Sequence, residues 1–197
     1  MKTKKIAEVV SLVFGPLLFW PLMLVVIANR TRLSYEQYQI MFPAVLFFQI
    51  AVPLLLFFAA LKKKKFSDFD ITERKQRIIP LLTLTGLMIP TMILAKIAGN
   101  KFFFDMYLML FSVVVVNAII TFRWKISLHM AVATLGILII NYLYYWQFSL
   151  MIFIVPLLFW SRFYLRRHTF YQLLFGCLFS AAVFFVFLYQ GNYLTIR

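Results

Sequence analysis

A basic stretch between two apolar runs carries the side chains that are best suited to chemistry. It spans residues 161–176 and reads SRFYLRRHTFYQLLFG. Arg162 and His168 are six residues apart, and Gln172 follows His168 by four, one turn along the same helix face. Arginine presents a planar fork of donors to an anion, and imidazole exchanges protons near neutral pH. Because charged groups at the edge of a bilayer are costly, this cluster predicts a functional site.

Two further arginines of this stretch have a simpler interpretation. Arg166 and Arg167 follow an apolar run, and arginines in that position often reach the lipid headgroups as interfacial anchors. Arg162 and His168 could also be interfacial anchors. The spacing of that pair matches a known signature, however, and therefore favours a functional site.

The signature is the third motif of the type 2 phosphatidic acid phosphatase superfamily. That motif is Ser-Arg, five residues, His, three residues, Asp. Here Ser161-Arg162 is followed after five residues by His168 and after three more by Gln172. The chain therefore resembles the family at this motif, with Gln172 standing where the family has Asp.

Two upstream segments complete the resemblance in the family's order. KISLH at residues 125–129 is similar to the second motif, Pro-Ser-Gly-His. ERKQR at residues 73–77, with Pro80 nearby, loosely resembles the first motif, Lys, six residues, Arg-Pro, although Asp70 stands in place of its Lys. The resemblance spans roughly residues 62 to 176.

The resemblance implies a mechanism without metal or cofactor. His168 would attack phosphorus and form a phosphohistidine, and His129 would protonate the leaving group. Gln172 would orient His168 by accepting a hydrogen bond, but without the negative charge of an Asp. The residues expected to bind the phosphate oxygens are Arg162, Ser127, Arg77, Arg74 and Lys75. In the simpler alternative, Ser127 caps a helix and His129 makes an interfacial hydrogen bond at its start.

The composition places the chain among membrane proteins. Of its 197 residues, 64% are hydrophobic, and the mean hydropathy is +0.91. The net charge of +14 lies in short segments between apolar runs, which is the pattern of membrane loops and excludes a nucleic-acid partner. The single cysteine, Cys177, excludes an intrachain disulfide and a cysteine-based metal site. We expect one integral membrane domain over residues 1–197.

Seven apolar runs approach the roughly 20 residues that a helix needs to cross a bilayer. The first is longer than the apolar region of a secretory signal, and we interpret it as a span. The expected fold is therefore an all-α polytopic bundle of six to seven spans. The runs cover residues 6–28, 40–61, 78–98, 104–122, 127–146, 150–165 and 169–189.

Seven spans place all three motifs on one side of the membrane, here called the motif side. The opposite side holds five basic residues, and the other 15 of the 20 lie on the motif side with the N-terminus. Because Lys and Arg accumulate in cytoplasmic loops, we expect the motif side to be cytoplasmic, in the cell inner membrane. The five are Arg30, Arg32, Lys96, Lys101 and Arg197.

The predicted activity is hydrolysis of a lipid phosphate or diphosphate, such as phosphatidate or a prenyl diphosphate. The expected partners are this substrate and the lipids of the membrane. One alternative is a catalytically weak relative that binds lipid phosphate. Another is a small transporter or assembly subunit, although spans with few ionisable residues disfavour transport. A third, a Mg²⁺–diphosphate site at Asp68, Asp70 and Glu73, lacks a second acidic motif, since nothing acidic follows Asp105.

Overall fold

The computed structural model describes residues 2–66 and 70–193, and all regular structure within them is helical. Two 3₁₀ segments, Lys75–Arg77 and Ser149–Phe153, and a π-helical segment, Leu46–Ala51, accompany the α-helices. The expected all-α class is confirmed. The α-helices are α1 (Lys2–Val13), α2 (Pro16–Arg30), α3 (Tyr35–Val45), α4 (Val52–Lys62), α5 (Ile78–Ala98), α6 (Lys101–Thr121), α7 (Leu128–Leu143), α8 (Ile154–Tyr164) and α9 (Phe170–Gln190).

Several helical runs are long and apolar enough to cross a membrane, which supports a membrane protein. Two more apolar helices, Leu128–Leu143 and Ser149–Tyr164, are shorter than the roughly 20 residues that a span needs. A count of six or seven spans therefore stays a prediction. The five long runs of the described chain are Lys2–Arg30, Tyr35–Lys62, Lys75–Ala98, Lys101–Thr121 and Phe170–Gln190.

The first expected span, residues 6–28, is not one continuous helix. Helix α1 ends at Val13 and α2 begins at Pro16. Proline has no N–H to donate to the preceding turn but fits the first position of a new helix, so Pro16 ends one helix and starts the next. The break places Phe14 and Gly15 between the two helices.

The contacts divide the described chain into two compact units. Unit 1 comprises the described residues of Met1–Arg30 and Ile126–Arg197 and contains α1, α2, α7, α8 and α9. Helix α7 is its centre, because 13 of its 16 residues are buried and it packs against α2 and α9. Helix α1 packs against α8.

A hydrophobic cluster in unit 1 fixes the helices around the expected site. Met130, Leu158 and Leu173 are fully buried in it, and Val10 packs against them. These four residues come from α7, α8, α9 and α1, respectively. Met130 and Leu173 each directly follow a candidate site residue in the sequence. Burial of the apolar neighbours therefore sets where the polar side chains lie.

Unit 2 comprises the described residues of Thr31–Lys125. In it, α3, the π-helical segment and α4 form one continuous helical run. A hydrogen bond from Gln49 Nε2 to the Leu87 carbonyl, at 2.8 Å, joins this run to α5. Pro53 offers no N–H to the carbonyl of Gln49, and the wider π turn begins before it. No residue of α4, all of which the structure describes, is buried within the chain. Such a face suits lipid contact.

Candidate functional site

The turn between α8 and α9 carries Arg162 and His168. Helix α8 ends in a Schellman motif, in which the Arg167 N–H donates to the Arg162 carbonyl at 3.1 Å and the Arg166 N–H to the Phe163 carbonyl at 2.9 Å. Arg166 occupies the left-handed position of this motif, with φ of 52°. The tight turn brings His168 back beside the new helix, where both it and Arg162 are buried.

Gln172 performs two tasks at the start of α9. Thr169 caps the helix, and the two residues form a capping box, with Gln172 Oε1 accepting the Thr169 N–H at 3.2 Å. The same oxygen lies 3.2 Å from Nδ1 of His168. Because a backbone N–H fixes this atom as the amide oxygen, Nδ1 must carry the hydrogen. In the neutral ring, the other nitrogen, Nε2, then holds the lone pair that a nucleophile needs.

The start of α7 carries Ser127 and His129 and contacts the start of α9. Ser127 is the N-cap, and its Oγ accepts the Met130 N–H at 3.3 Å. The Ser127 N–H donates to the main-chain carbonyl of Gln172 at 3.2 Å. A side chain at Gly176 would come within 2.8 Å of the Ser127 carbonyl, so the approach of α7 to α9 requires glycine there. The N-cap of the simpler alternative is therefore present at Ser127, and the bond to the Gln172 carbonyl holds this residue beside the start of α9.

Two residues of the N-terminal segment, which the sequence did not single out, touch this group. Arg162 Nη1 donates to Ser11 Oγ at 2.5 Å, and both residues are buried. The backbone at Gly15 lies against His129, since a Cβ there would come within 2.9 Å of its Nε2. Two features of the sequence could have indicated these residues: Ser11 is a hydroxyl within an apolar run, and Gly15 directly precedes Pro16.

Unit 1 therefore contains five mostly buried polar residues on segments that pack together, here called the polar cluster: Ser127, His129, Arg162, His168 and Gln172. Every member except Gln172 is at most 6% exposed. The sequence of unit 1 contains a single acidic residue, Glu8, which is exposed and lies 4.0 Å from Lys4. The cluster thus combines a fixed positive charge with two imidazoles and a hydroxyl, a set that suits an anion whose reaction includes proton transfer.

The first-motif residues belong to unit 2, where both arginines bind backbone carbonyls. Arg77 is buried and its Nε donates to the Ile71 carbonyl at 2.6 Å. Arg74 Nη1 donates to the Thr121 carbonyl at 2.8 Å and also to that of Phe122. Lys75 is exposed. The assignment of these three residues to phosphate binding stays a prediction.

The acidic segment does not form a metal site among the residues that the structure describes. Residues 2–66 and 70–193 contain no group of three or more potential metal ligands from His, Cys, Asp and Glu. Glu73 accepts a hydrogen bond from Gln76 at 2.8 Å. Asp68 lies outside the described residues.

The fold and the polar cluster together describe an all-helical protein whose long apolar helices suit a membrane and which carries a buried, positively charged polar site. Comparison with protein-family models gave no match, and neither did comparison with curated proteins or with solved structures.

Proposed function

We propose that this protein is a membrane-bound phosphatase that hydrolyses a lipid phosphate or diphosphate through a phosphohistidine at His168. One observation carries the proposal. The second-motif and third-motif segments, about 40 residues apart in the chain, are joined by the bond from the Ser127 N–H to the Gln172 carbonyl. This bond supports the proposal, because the nucleophile candidate His168 and the acid candidate His129 are both buried and belong to the two segments that it joins.

The first half of the reaction transfers the phosphoryl group to His168. The lone pair of Nε2 attacks phosphorus as the bond to the lipid oxygen breaks, and His129, protonated at the start, gives its proton to the leaving oxygen. Arg162 neutralises the charge on the phosphoryl oxygens, and the Ser127 hydroxyl hydrogen donates to one of them. The Nδ1–H bond to Gln172 keeps the imidazole in the tautomer that attacks.

The second half frees the enzyme. Neutral His129 takes a proton from water, whose oxygen attacks phosphorus and breaks the P–N bond. Inorganic phosphate leaves, His168 regains its lone pair, and His129 is again protonated for the next cycle. All steps use side chains of the chain and water.

A second candidate function follows from Gln172. An amide oxygen orients imidazole but supplies no negative charge to stabilise imidazolium. If the missing charge limits turnover, the protein would be a slow enzyme that mainly binds lipid phosphate. Measuring kcat for phosphate release together with the affinity for lipid phosphate distinguishes the two candidates, since a binding protein would combine high affinity with a low kcat.

Phosphate release by the purified full-length protein tests the proposal. The substrates are phosphatidate and a prenyl diphosphate in mixed micelles, with and without a chelator. We expect His168→Ala to reduce release by at least about 1000-fold, the scale on which removal of a nucleophile acts. Arg166→Ala, an exposed cation in the same turn, is the matched control and should retain most of the activity.

Labelled substrate adds a direct readout. A phosphoenzyme that is labile in acid and stable in base should accumulate in wild type and be missing in His168→Ala. Equal release by the two proteins would overturn the phosphatase proposal. A strict Mg²⁺ requirement would favour the acidic segment of residues 68–73 instead.

The cytoplasmic orientation is a proposal with its own test, and the 15 basic residues of the motif side support it. Cys177→Ser removes the native thiol. Glu36→Cys and Lys63→Cys then add single thiols at exposed positions near opposite ends of the second long run. In intact cells, a membrane-impermeant thiol reagent should label position 36 and spare position 63. The reverse labelling would place the site at the outer face.

A further inference from the structure

Helix α1 contacts Ser161 and Arg162 of α8 through two side-chain hydrogen bonds. Ser161 Oγ donates to the Ala7 carbonyl at 2.6 Å, and Arg162 Nη1 donates to Ser11 Oγ at 2.5 Å. Ala7 and Ser11 are one helical turn apart and therefore share a face. All four residues are buried. Two consecutive residues of α8 thus fix the register of α1, and this register places the Ser11 hydroxyl on the guanidinium.

The bond to Ser11 constrains the whole side-chain head of Arg162. A guanidinium is rigid and planar, so the N–H···O bond to Ser11 restricts the directions in which its remaining donors can point. A hydroxyl is a suitable partner because it accepts the bond without neutralising the charge. The positive charge of Arg162 therefore stays effective toward an anion.

The same segment also reaches His129. Phe14 and Gly15 link α1 to α2, and a Cβ at Gly15 would lie 2.9 Å from His129 Nε2 and 2.7 Å from the Ser11 carbonyl. Atoms at such separations would collide, so the His129 ring and the backbone of Gly15 are in direct contact. One stretch of five residues, Ser11 to Gly15, thus touches both the fixed charge and one of the two imidazoles.

We infer that the Ser11–Gly15 segment is a further part of the phosphate site, in which Ser11 is a positioning residue for Arg162 and Gly15 makes room for His129. The inference rests on the proposed function. It adds a fourth sequence element, outside residues 62–176, to the three motifs of the family that the chain resembles. A purely structural role for Ser11, as an anchor of α1 on α8, predicts lower stability without a change in anion affinity.

The test separates these roles by measuring anion binding alongside turnover. Ser11→Ala removes the hydroxyl, Ser11→Thr keeps it, and Ser180→Ala removes another fully buried hydroxyl of unit 1 as the matched control. The readouts are KM and kcat for phosphate release, the Kd of orthovanadate, and the thermal midpoint. We expect Ser11→Ala to raise KM and the vanadate Kd about tenfold, with kcat within about threefold of wild type. Ser11→Thr should restore both constants, and Ser180→Ala should leave them unchanged.

Gly15→Ala is a second, independent variant that keeps the inference testable if Ser11→Ala does not fold. The added methyl group should displace His129 and lower kcat about 100-fold. The vanadate Kd should change much less, because His129 is proposed to protonate the leaving group rather than to bind the anion.

The possible results distinguish the role of Ser11 as a positioning residue from the phosphatase activity itself. An unchanged vanadate Kd in Ser11→Ala, with a lowered thermal midpoint, would reduce Ser11 to an anchor and leave the phosphatase proposal standing. Vanadate binding that weakens in Ser11→Ala, in a protein that releases no phosphate, would overturn the phosphatase activity and support the anion site. A wild type that neither binds vanadate nor releases phosphate would overturn both.

Discussion

Arg162 and Arg77 are both buried arginines from segments that resemble family motifs, yet their surroundings differ. Arg162, 0% exposed, donates to the side-chain hydroxyl of Ser11 in unit 1. Arg77, 4% exposed, donates to the main-chain carbonyl of Ile71 in unit 2. A carbonyl six residues away ties a local loop, whereas a hydroxyl 151 residues away joins two helices. The same residue type thus holds a loop in one unit and forms part of a cluster of titratable groups in the other.

The difference shows that a buried cation is not by itself evidence of a binding site. Backbone carbonyls satisfy guanidinium donors well and need no ligand. Arg162 is the stronger candidate, because unit 1 also contains two buried histidines and the buried Ser127 in the segments that pack with α8.

Replacing each of the two arginines by lysine tests this contrast, and Arg162→Lys should have the larger effect. Lysine keeps the charge but lacks the planar fork, so Arg162→Lys should lower kcat/KM for phosphate release about 100-fold. Arg77→Lys should lower kcat/KM by less than about tenfold, while the loss of the Ile71 bond lowers stability by about 1–3 kcal/mol.

Steady-state kinetics and thermal unfolding in the same detergent measure both effects. A loss for Arg77→Lys as large as that for Arg162→Lys, in folded protein, would support the predicted role of Arg77 in phosphate binding and would remove the contrast.

Gln172→Glu should give the next largest effect. Glutamate is the usual capping-box residue at this position, so it preserves the bond to the Thr169 N–H while adding a negative charge beside His168. The charge stabilises imidazolium and raises the pKa of His168. The acidic limb of the pH–rate profile should therefore move to higher pH, and the plateau above it should rise about tenfold.

Thr169→Ala provides the control for this change. It weakens the cap by about 1 kcal/mol without altering the group that faces His168, so it should lower stability and leave the pH profile in place. A fall in activity for well-folded Gln172→Glu would show that the pocket is built for an amide.

The smallest expected effect concerns helix ends in the two units. Arg166 lies two residues after the end of α8 and Lys64 two residues after the end of α4, and each has a left-handed conformation with φ of 52°. Because this conformation costs a residue with a Cβ about 1 kcal/mol, Arg166→Gly and Lys64→Gly should each stabilise the protein by up to that amount. The neighbouring Arg167→Gly should bring no gain. Thermal unfolding checks all three, and destabilisation by Arg166→Gly would mean that its side chain holds the α8–α9 turn.

Local features of the sequence were predictable because they depend on neighbouring residues. The long apolar runs indicated helices of membrane length, and Ser127 indicated a helix cap, since capping involves residues three apart. His168 and Gln172 do contact each other, but the expectation that they share one helix face was wrong, because His168 precedes the N-cap Thr169 and lies outside α9. The break at Phe14–Gly15 was missed because prolines are tolerated within membrane helices, and only the packing decided that Pro16 begins a new one.

By itself, the sequence determined an all-helical, membrane-type chain with a basic, histidine-containing turn between apolar helices, because hydropathy and helical spacing are local properties. Only the tertiary structure decided that Ser11 lies on Arg162, that Gly15 lies against His129, and that Arg77 binds a backbone carbonyl. The first two contacts join residues more than 100 positions apart, so they arise from which helices pack together. Ser11 and Gly15 look ordinary in the sequence because their significance depends on the residues that face them.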